Sequence, residues 1–226
     1  MLAGASLGLA IVVRYQLAIF VLAAAWSLWR TRSVGRRFAR KSGCFAIGAL
    51  PFLMLQLWAW RVVYGEWFVF SYGVEGESFH WRNPELLNSF FSPWHGLFYW
   101  HPFLLVGLVG MLWWGWKSRG GALSWVSCVA ITTYVNAAWW CWWFASSFGN
   151  RGYDAAFLPM MGGAGFFALN ARGRARSFLW STAITLGLWN FYVVWLYRSG
   201  AIPRNEPVTW WEMVRAASRL SEATKF

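Results

Sequence analysis

The chain has 226 residues, of which 58% are hydrophobic, 21% aromatic and only 12% charged, and its 20 Lys/Arg against 8 Asp/Glu give a formal net charge of +12. Twenty-one Trp favour a membrane–water interface, where the amphipathic indole ring is best accommodated. The positive charge does not indicate a nucleic-acid-binding protein. Eleven of the basic residues sit in short loops between apolar stretches, and no basic patch is interleaved with exposed aromatics on a soluble domain.

An apolar helix needs about 20 residues to cross the hydrocarbon core of a bilayer, and every span must be helical because lipid cannot satisfy free backbone groups. Six stretches have that character, at 4–29, 44–64, 96–116, 121–144, 155–169 and 178–197. The expected fold class is therefore all-α: a polytopic membrane helix bundle of about six transmembrane helices with interfacial helices. Residues 1–197 form the bundle and residues 198–226 an amphipathic, extracytoplasmic tail.

The first stretch opens abruptly in apolar sequence with no charged leader, so it does not read as a signal peptide. Such a start suggests a chain cut from a longer one, or a start placed too late. Arg14 interrupts this stretch. A charge there either snorkels to the interface or faces a wet cavity. Small residues such as Gly4 and Gly8, or Gly107 and Gly110, allow close helix packing. Between the second and third stretches, Asn83-Pro84-Glu85 offers a cap, a Pro at the first helical position and an early acid, followed by Leu86, Leu87, Phe90 and Phe91 on one face. This predicts a short interfacial helix. In the tail, Trp210, Met213, Val214, Ala217 and Leu220 share one face, opposite Glu212, Arg215, Arg219 and Glu222. That helix is expected to lie on the membrane or cap the bundle.

The loops sort by charge. Glu66, Glu75, Glu77 and Glu85 occupy one loop, Asp154 another, and Glu206, Glu212 and Glu222 the tail. The alternate loops, 30–41, 117–119 and 172–176, hold no acid and carry six, two and three Lys/Arg. Short basic loops stay cytoplasmic, so both termini and all the acids are expected outside. Acid/base chemistry is then confined to the far face, near 66–95 and 146–154. Cys44, Cys128 and Cys141 lie singly in apolar stretches and read as small buried hydrophobes. His80, His95 and His101 match no metal-binding pattern.

Two segments are more specific. One is Ser92-Pro93-Trp94-His95-Gly96-Leu97-Phe98-Tyr99-Trp100-His101-Pro102. The other is Trp139-Trp140-Cys141-Trp142-Trp143-Phe144-Ala145-Ser146-Ser147-Phe148-Gly149-Asn150-Arg151-Gly152-Tyr153-Asp154, followed by Phe157-Leu158-Pro159. Both resemble bacterial members of the GT-C superfamily of polytopic glycosyltransferases, which includes protein O-mannosyltransferase-like and lipid-A-modifying enzymes. Many of these carry an S-P-x-x-G-L-F-x-W-x-P segment and a W-x-x-W…S-F-G-x-R segment. The opening Gly4-Ala5-Ser6-Leu7-Gly8-Leu9-Ala10…Arg14 is similar to a third stretch of that group.

The resemblance implies a multi-pass protein of the bacterial inner (plasma) membrane. It would transfer sugar on the extracytoplasmic face from a polyprenyl-phosphate donor to a lipid, glycan or protein acceptor. The family's catalytic acid lies in a first outer loop after a first span, and no such loop precedes Arg14. The expectation is a C-terminal portion without that acid, inactive alone, so no catalytic residue is assigned.

Physical reasoning adds what this portion supplies. Arg151, beside Ser146, Ser147 and Asn150, is the leading candidate to bind a donor phosphate bidentately, with Arg82 second. The bland alternative for Arg151 is an ion pair with Asp154 that pins the loop. Arg14, His95, Glu75, Glu77 and Asp154 are candidates to line an outer cavity, and Glu75 and Glu77 could hold a divalent cation or an acceptor hydroxyl. No residue set is assigned to a resident metal. A second reading is a non-catalytic multi-pass scaffold or assembly protein. A transporter is a third and weaker one, because only Arg14 is placed mid-membrane and no half-length repeat is present.

Overall fold

A computed structural model describes residues 1–30, 35–69, 77–118 and 122–223. The regular structure among these is helical, as expected of an all-α chain, and the β pairing is one isolated bridge between Phe79 and Trp139. The chain forms two compact units, Met1–Ser78 and Phe79–Phe226.

The first unit contains α1 (Leu2–Val13), a 3-10 turn (Tyr15–Phe20), α2 (Val21–Arg30) and α3 (Arg36–Tyr64). The single span expected over 4–29 is broken. At Arg14 the backbone is extended, with φ −150° and ψ 107°, so the helix stops after the β-branched pair Val12-Val13 and resumes beyond the polar trio Arg14-Tyr15-Gln16. α1 rests directly on α3 because its contact face has no side chains to hold the backbones apart. A Cβ on Gly8 would stand 2.8 Å from the Ala49 carbonyl oxygen, and one on Gly4 would overlap the Phe45 carbonyl. α3 ends at Gly65, whose φ of +77° closes the helix through an N–H to the Arg61 carbonyl.

The second unit contains α4 (Leu86–Phe91), α5 (Leu97–Trp100), α6 (Phe103–Lys117), α7 (Leu123–Ala138), α8 (Asp154–Asn170), α9 (Gly173–Ser199) and α10 (Trp210–Ala223). α6 and α8 run parallel. Gly107 meets the backbone of Met160, Gly110 meets Gly163, and Trp113 packs edge-on against Phe166 and Phe167. Both helices therefore start at the same end, and α7 and α9 finish there.

Two of the expected spans are shorter than predicted. The stretch 96–116 is split at His101-Pro102 into α5 and α6, and 121–144 stops being helical at Ala138. Two helices, at Arg37–Tyr64 and Gly173–Ser199, are long and apolar enough to cross a membrane, and only 11% of the most apolar window of each is buried. Leu2–Val13, Tyr15–Trp29, Phe103–Lys117 and Leu123–Ala138 are apolar but shorter.

The interfacial helix begins at Leu86 rather than at an Asn83 cap. The cause is competition for backbone donors. His80 N–H bonds the Ala138 carbonyl at 2.6 Å and Glu85 N–H bonds that of Ala137 at 2.8 Å, so 80–85 is tied to the end of α7 instead of entering a helix.

The tail caps the second unit. Ile202, Val208, Met213 and Ala216 are buried with Trp100, Val193 and Leu196. The inward face of α10 is thus Met213 and Ala216, while Trp210 and Val214 are 51% and 50% exposed, unlike the single apolar face expected from spacing. Thr209 and Glu212 form a reciprocal capping box: Thr209 N–H donates to Glu212 Oε2 at 2.7 Å, and Glu212 N–H to Thr209 Oγ1 at 3.2 Å.

Candidate functional site

The two specific segments, some forty residues apart in sequence, meet at the end of the second unit where α6 and α8 begin. Trp94 stacks on Trp143 at 4.1 Å and meets Trp142 edge-on at 6.5 Å. Trp100 and His101 both meet Phe148 edge-on, at 5.5 and 5.4 Å. Gly96 is needed here because its Cα lies against the Ser92 backbone, where a Cβ would approach the Ser92 N to 2.5 Å.

This end of the unit is strained. The non-glycine residues with positive φ among the described ones are His95 (61°), Phe144 (58°) and Ala145 (53°), all inside the two segments. Left-handed backbone costs a non-glycine residue about 1–2 kcal/mol and persists only where the surroundings over-determine it.

Polar groups are buried in the same region. Asn150, 1% exposed, donates to the Trp142 carbonyl at 2.8 Å and accepts from Gly152 N–H at 3.2 Å. It thereby fixes the short turn Arg151–Tyr153, in which Arg151 is exposed. Behind it Tyr153 is fully buried, its hydroxyl 2.9 Å from Ser89 Oγ, and burial pushes that hydroxyl up to about 12. His101 Nδ1 lies 2.7 Å from Asn190 Oδ1. Among the described residues, the buried side-chain atoms without a hydrogen-bond partner are Trp94 Nε1, His95 Nδ1 and Asn136 Nδ2. Such orphans are rare in native interiors and mark positions that need an explanation.

The sequence candidates separate clearly. Arg151 and Asp154 share this end of the second unit: Arg151 is exposed in the short turn, and Asp154 opens α8, where its charge complements the helix dipole. Asp154 is also near enough for its charge to act on the His101 ring. Arg82 is exposed in the 80–85 segment and lines a separate cleft there.

His95 is withdrawn from the surface. It is fully buried, stacked on Trp100 at 4.9 Å, with Nε2 3.0 Å from the Arg204 carbonyl. Burial lowers its pKa, partly offset by the Arg204 carbonyl bond.

Arg14 and Glu77 belong to the first unit, and Glu75 lies outside the described residues. Among the described residues no three His, Cys, Asp or Glu side chains converge to hold a metal ion. Asn136, Asn190, Ser89 and Tyr153 are not singled out by the sequence reading. Asn136 and Asn190 carried a usable signal, since an amide inside an apolar stretch needs an interior partner.

No family model, no curated protein and no solved structure matches the chain.

Proposed function

We propose that the chain is part of a multi-pass glycosyltransferase of the bacterial inner membrane. It moves a sugar from a polyprenyl-phosphate donor to an acceptor on the extracytoplasmic face. The observation that carries this reading is the meeting of the two family-like segments in one strained, aromatic-walled end of the second unit, with Arg151 on its rim. Lys117, Arg172, Arg174 and Arg176 lie at the other ends of the same helices, as a cytoplasmic face requires. Two apolar helices of spanning length with little buried surface favour lipid as their surroundings.

In the reaction the acceptor hydroxyl oxygen forms a bond to the sugar's anomeric carbon as the bond from that carbon to the donor phosphate oxygen breaks, and the hydroxyl proton passes to the carboxylate that the resemblance expects in another part of the enzyme. Negative charge grows on the departing lipid phosphate. On this reading the exposed Arg151 lies near the lipid phosphates, where its planar guanidinium fork would bind two phosphate oxygens. Its backbone is fixed by Asn150 before substrate arrives, so little reorganisation is needed as charge develops.

The test is sugar transfer in native membranes at matched protein abundance. Arg151→Lys keeps the charge and loses the fork, so transfer falls. Arg151→Ala reduces it further, and Asp154→Ala reduces it less than Arg151→Ala. Unchanged transfer in both Arg151 variants, or Asp154→Ala behaving like Arg151→Ala, would reduce Arg151 to a structural tie worth about 0–1 kcal/mol and favour the scaffold reading.

A further inference from the structure

A second cleft lies against the C-terminal end of α7, at the same end of the second unit as the Arg151 turn but lined by other residues. Residues Phe79, His80, Trp81, Arg82, Asn83 and Glu85 line an open cleft of about 500 Å³, a size typical of small-molecule sites. We infer that this cleft is a carbohydrate subsite that holds a neutral glycan. On the transferase reading that glycan is the acceptor. The assignment as acceptor rests on that reading, whereas the cleft's affinity for sugar does not.

Three observations support the inference. The first is pre-organisation. The segment is anchored to α7 and its exit by the His80 and Glu85 backbone bonds, by the Phe79–Trp139 bridge, and by Tyr134, whose hydroxyl donates to the Trp81 carbonyl at 2.5 Å. A wall held this firmly loses little freedom when a weak ligand binds.

The second is the aromatic wall. Phe79 and Trp81 stack at 4.6 Å and 7°, Phe79 packs on Trp139 at 4.8 Å, and Trp81 reaches Tyr134 at 5.9 Å. Trp81 keeps 47% of its surface exposed. Sugar rings carry apolar C–H faces that pack on indole, and an exposed ring rigidly backed by other rings suits that contact.

The third is the polar complement. Arg82 and Glu85 cancel in formal charge, which suits a neutral ligand better than an anion. A phosphate bound at Arg82 would also face the Glu85 carboxylate. Glu85 is oriented by Asn88, whose amide donates to Oε2 at 2.8 Å. A carboxylate, an amide and a guanidinium on one rim can accept from and donate to adjacent hydroxyls. This moves Arg82 from the donor-phosphate role expected from sequence to a sugar-contacting one.

The experiment uses the full chain in lipid nanodiscs, free of sugar-headed detergent. Saturation-transfer NMR and calorimetry are run with maltotriose, mannotriose and chitotriose, and with inorganic pyrophosphate as an anionic competitor. At least one trisaccharide should bind saturably, with Kd on the order of millimolar, and pyrophosphate should not displace it. Trp81→Leu and Glu85→Gln should each weaken binding about tenfold, equivalent to about 1.4 kcal/mol.

Because Trp81 is stacked and its loss could disturb the fold, the exposed pair Glu85→Gln and Asn83→Ala decides if Trp81→Leu fails to insert. Binding of no trisaccharide, binding unchanged in Glu85→Gln and Asn83→Ala, or Arg82-dependent binding of pyrophosphate instead would overturn the subsite. Sugar binding by the chain, with no sugar transfer in the native membranes that contain it, keeps the subsite and removes the acceptor assignment. Transfer without sugar binding in the cleft removes the subsite and leaves the transferase reading standing.

Discussion

His95 combines three unusual properties in one side chain. It is fully buried, it adopts a positive φ, and its Nδ1 has no hydrogen-bond partner. Burial depresses its folded-state pKa below the unfolded value of 6.5. Its contribution to stability is therefore fully present above about pH 6.5 and is lost as pH falls through the folded-state value, because the unfolded chain then binds the extra proton. Unfolding followed between pH 8 and pH 5 should show this loss. His95→Asn keeps a side chain that tolerates positive φ and removes the titration, so its profile should be flatter, although its stability at pH 8 is lower for want of the Trp100 stack. Parallel profiles for the two proteins would show that His95 does not carry the pH dependence. Around the same site, the buried Asn150 acts by position: it lends rigidity to the turn that presents Arg151, and takes no part as a charged group.

At the scale of elements, close approach between helices depends on glycines whose absence of a side chain is used. A Cβ on Gly110 would run into the Gly163 backbone of α8, a neighbour that cannot rotate away. Gly110→Leu should cost about 1–3 kcal/mol or more, read as a lowered unfolding temperature in nanodiscs. Gly115 on the same helix has as its nearest neighbour the Val126 side chain at 3.6 Å, so Gly115→Ala should be neutral or stabilise by up to about 1 kcal/mol. Equal destabilisation by both would remove the packing argument. These glycines were legible, as were α3, α8 and α9, because long apolar runs and small-residue spacing state their own purpose. The breaks at His101-Pro102 and after Ala138 were not. Trp and Phe keep hydropathy high through 139–148 while Phe144 and Ala145 take left-handed backbone and the chain turns. The Thr209-x-x-Glu212 capping box was written in the sequence and marks the start of α10 one residue before Trp210. The two aromatic segments were legible as segments. Their packing against each other, and the burial of His95 between Trp100 and the tail, depend on long-range contacts that no local pattern encodes.

For the whole molecule, the described acidic residues of the second unit gather at one end of its helices. The turns bearing Lys117 and Arg172, Arg174 and Arg176 hold no acid, whereas Glu85, Asp154, Glu206 and Glu212 lie with the tryptophan-lined segments. On the proposed topology, this polarity would assign donor phosphate, acceptor and the Arg151 rim to the outer face and the basic turns to the cytoplasm. The most direct measurement is sided cysteine labelling in intact cells, in a background with Cys44, Cys128 and Cys141 each changed to Ala. Asn83→Cys tests the acid-bearing end and Arg174→Cys the end with the acid-free basic turns; both positions are exposed. The account predicts that a membrane-impermeant maleimide labels the Asn83→Cys protein in intact cells and the Arg174→Cys protein only after permeabilisation. The reverse pattern, or equal labelling of both without permeabilisation, would contradict it.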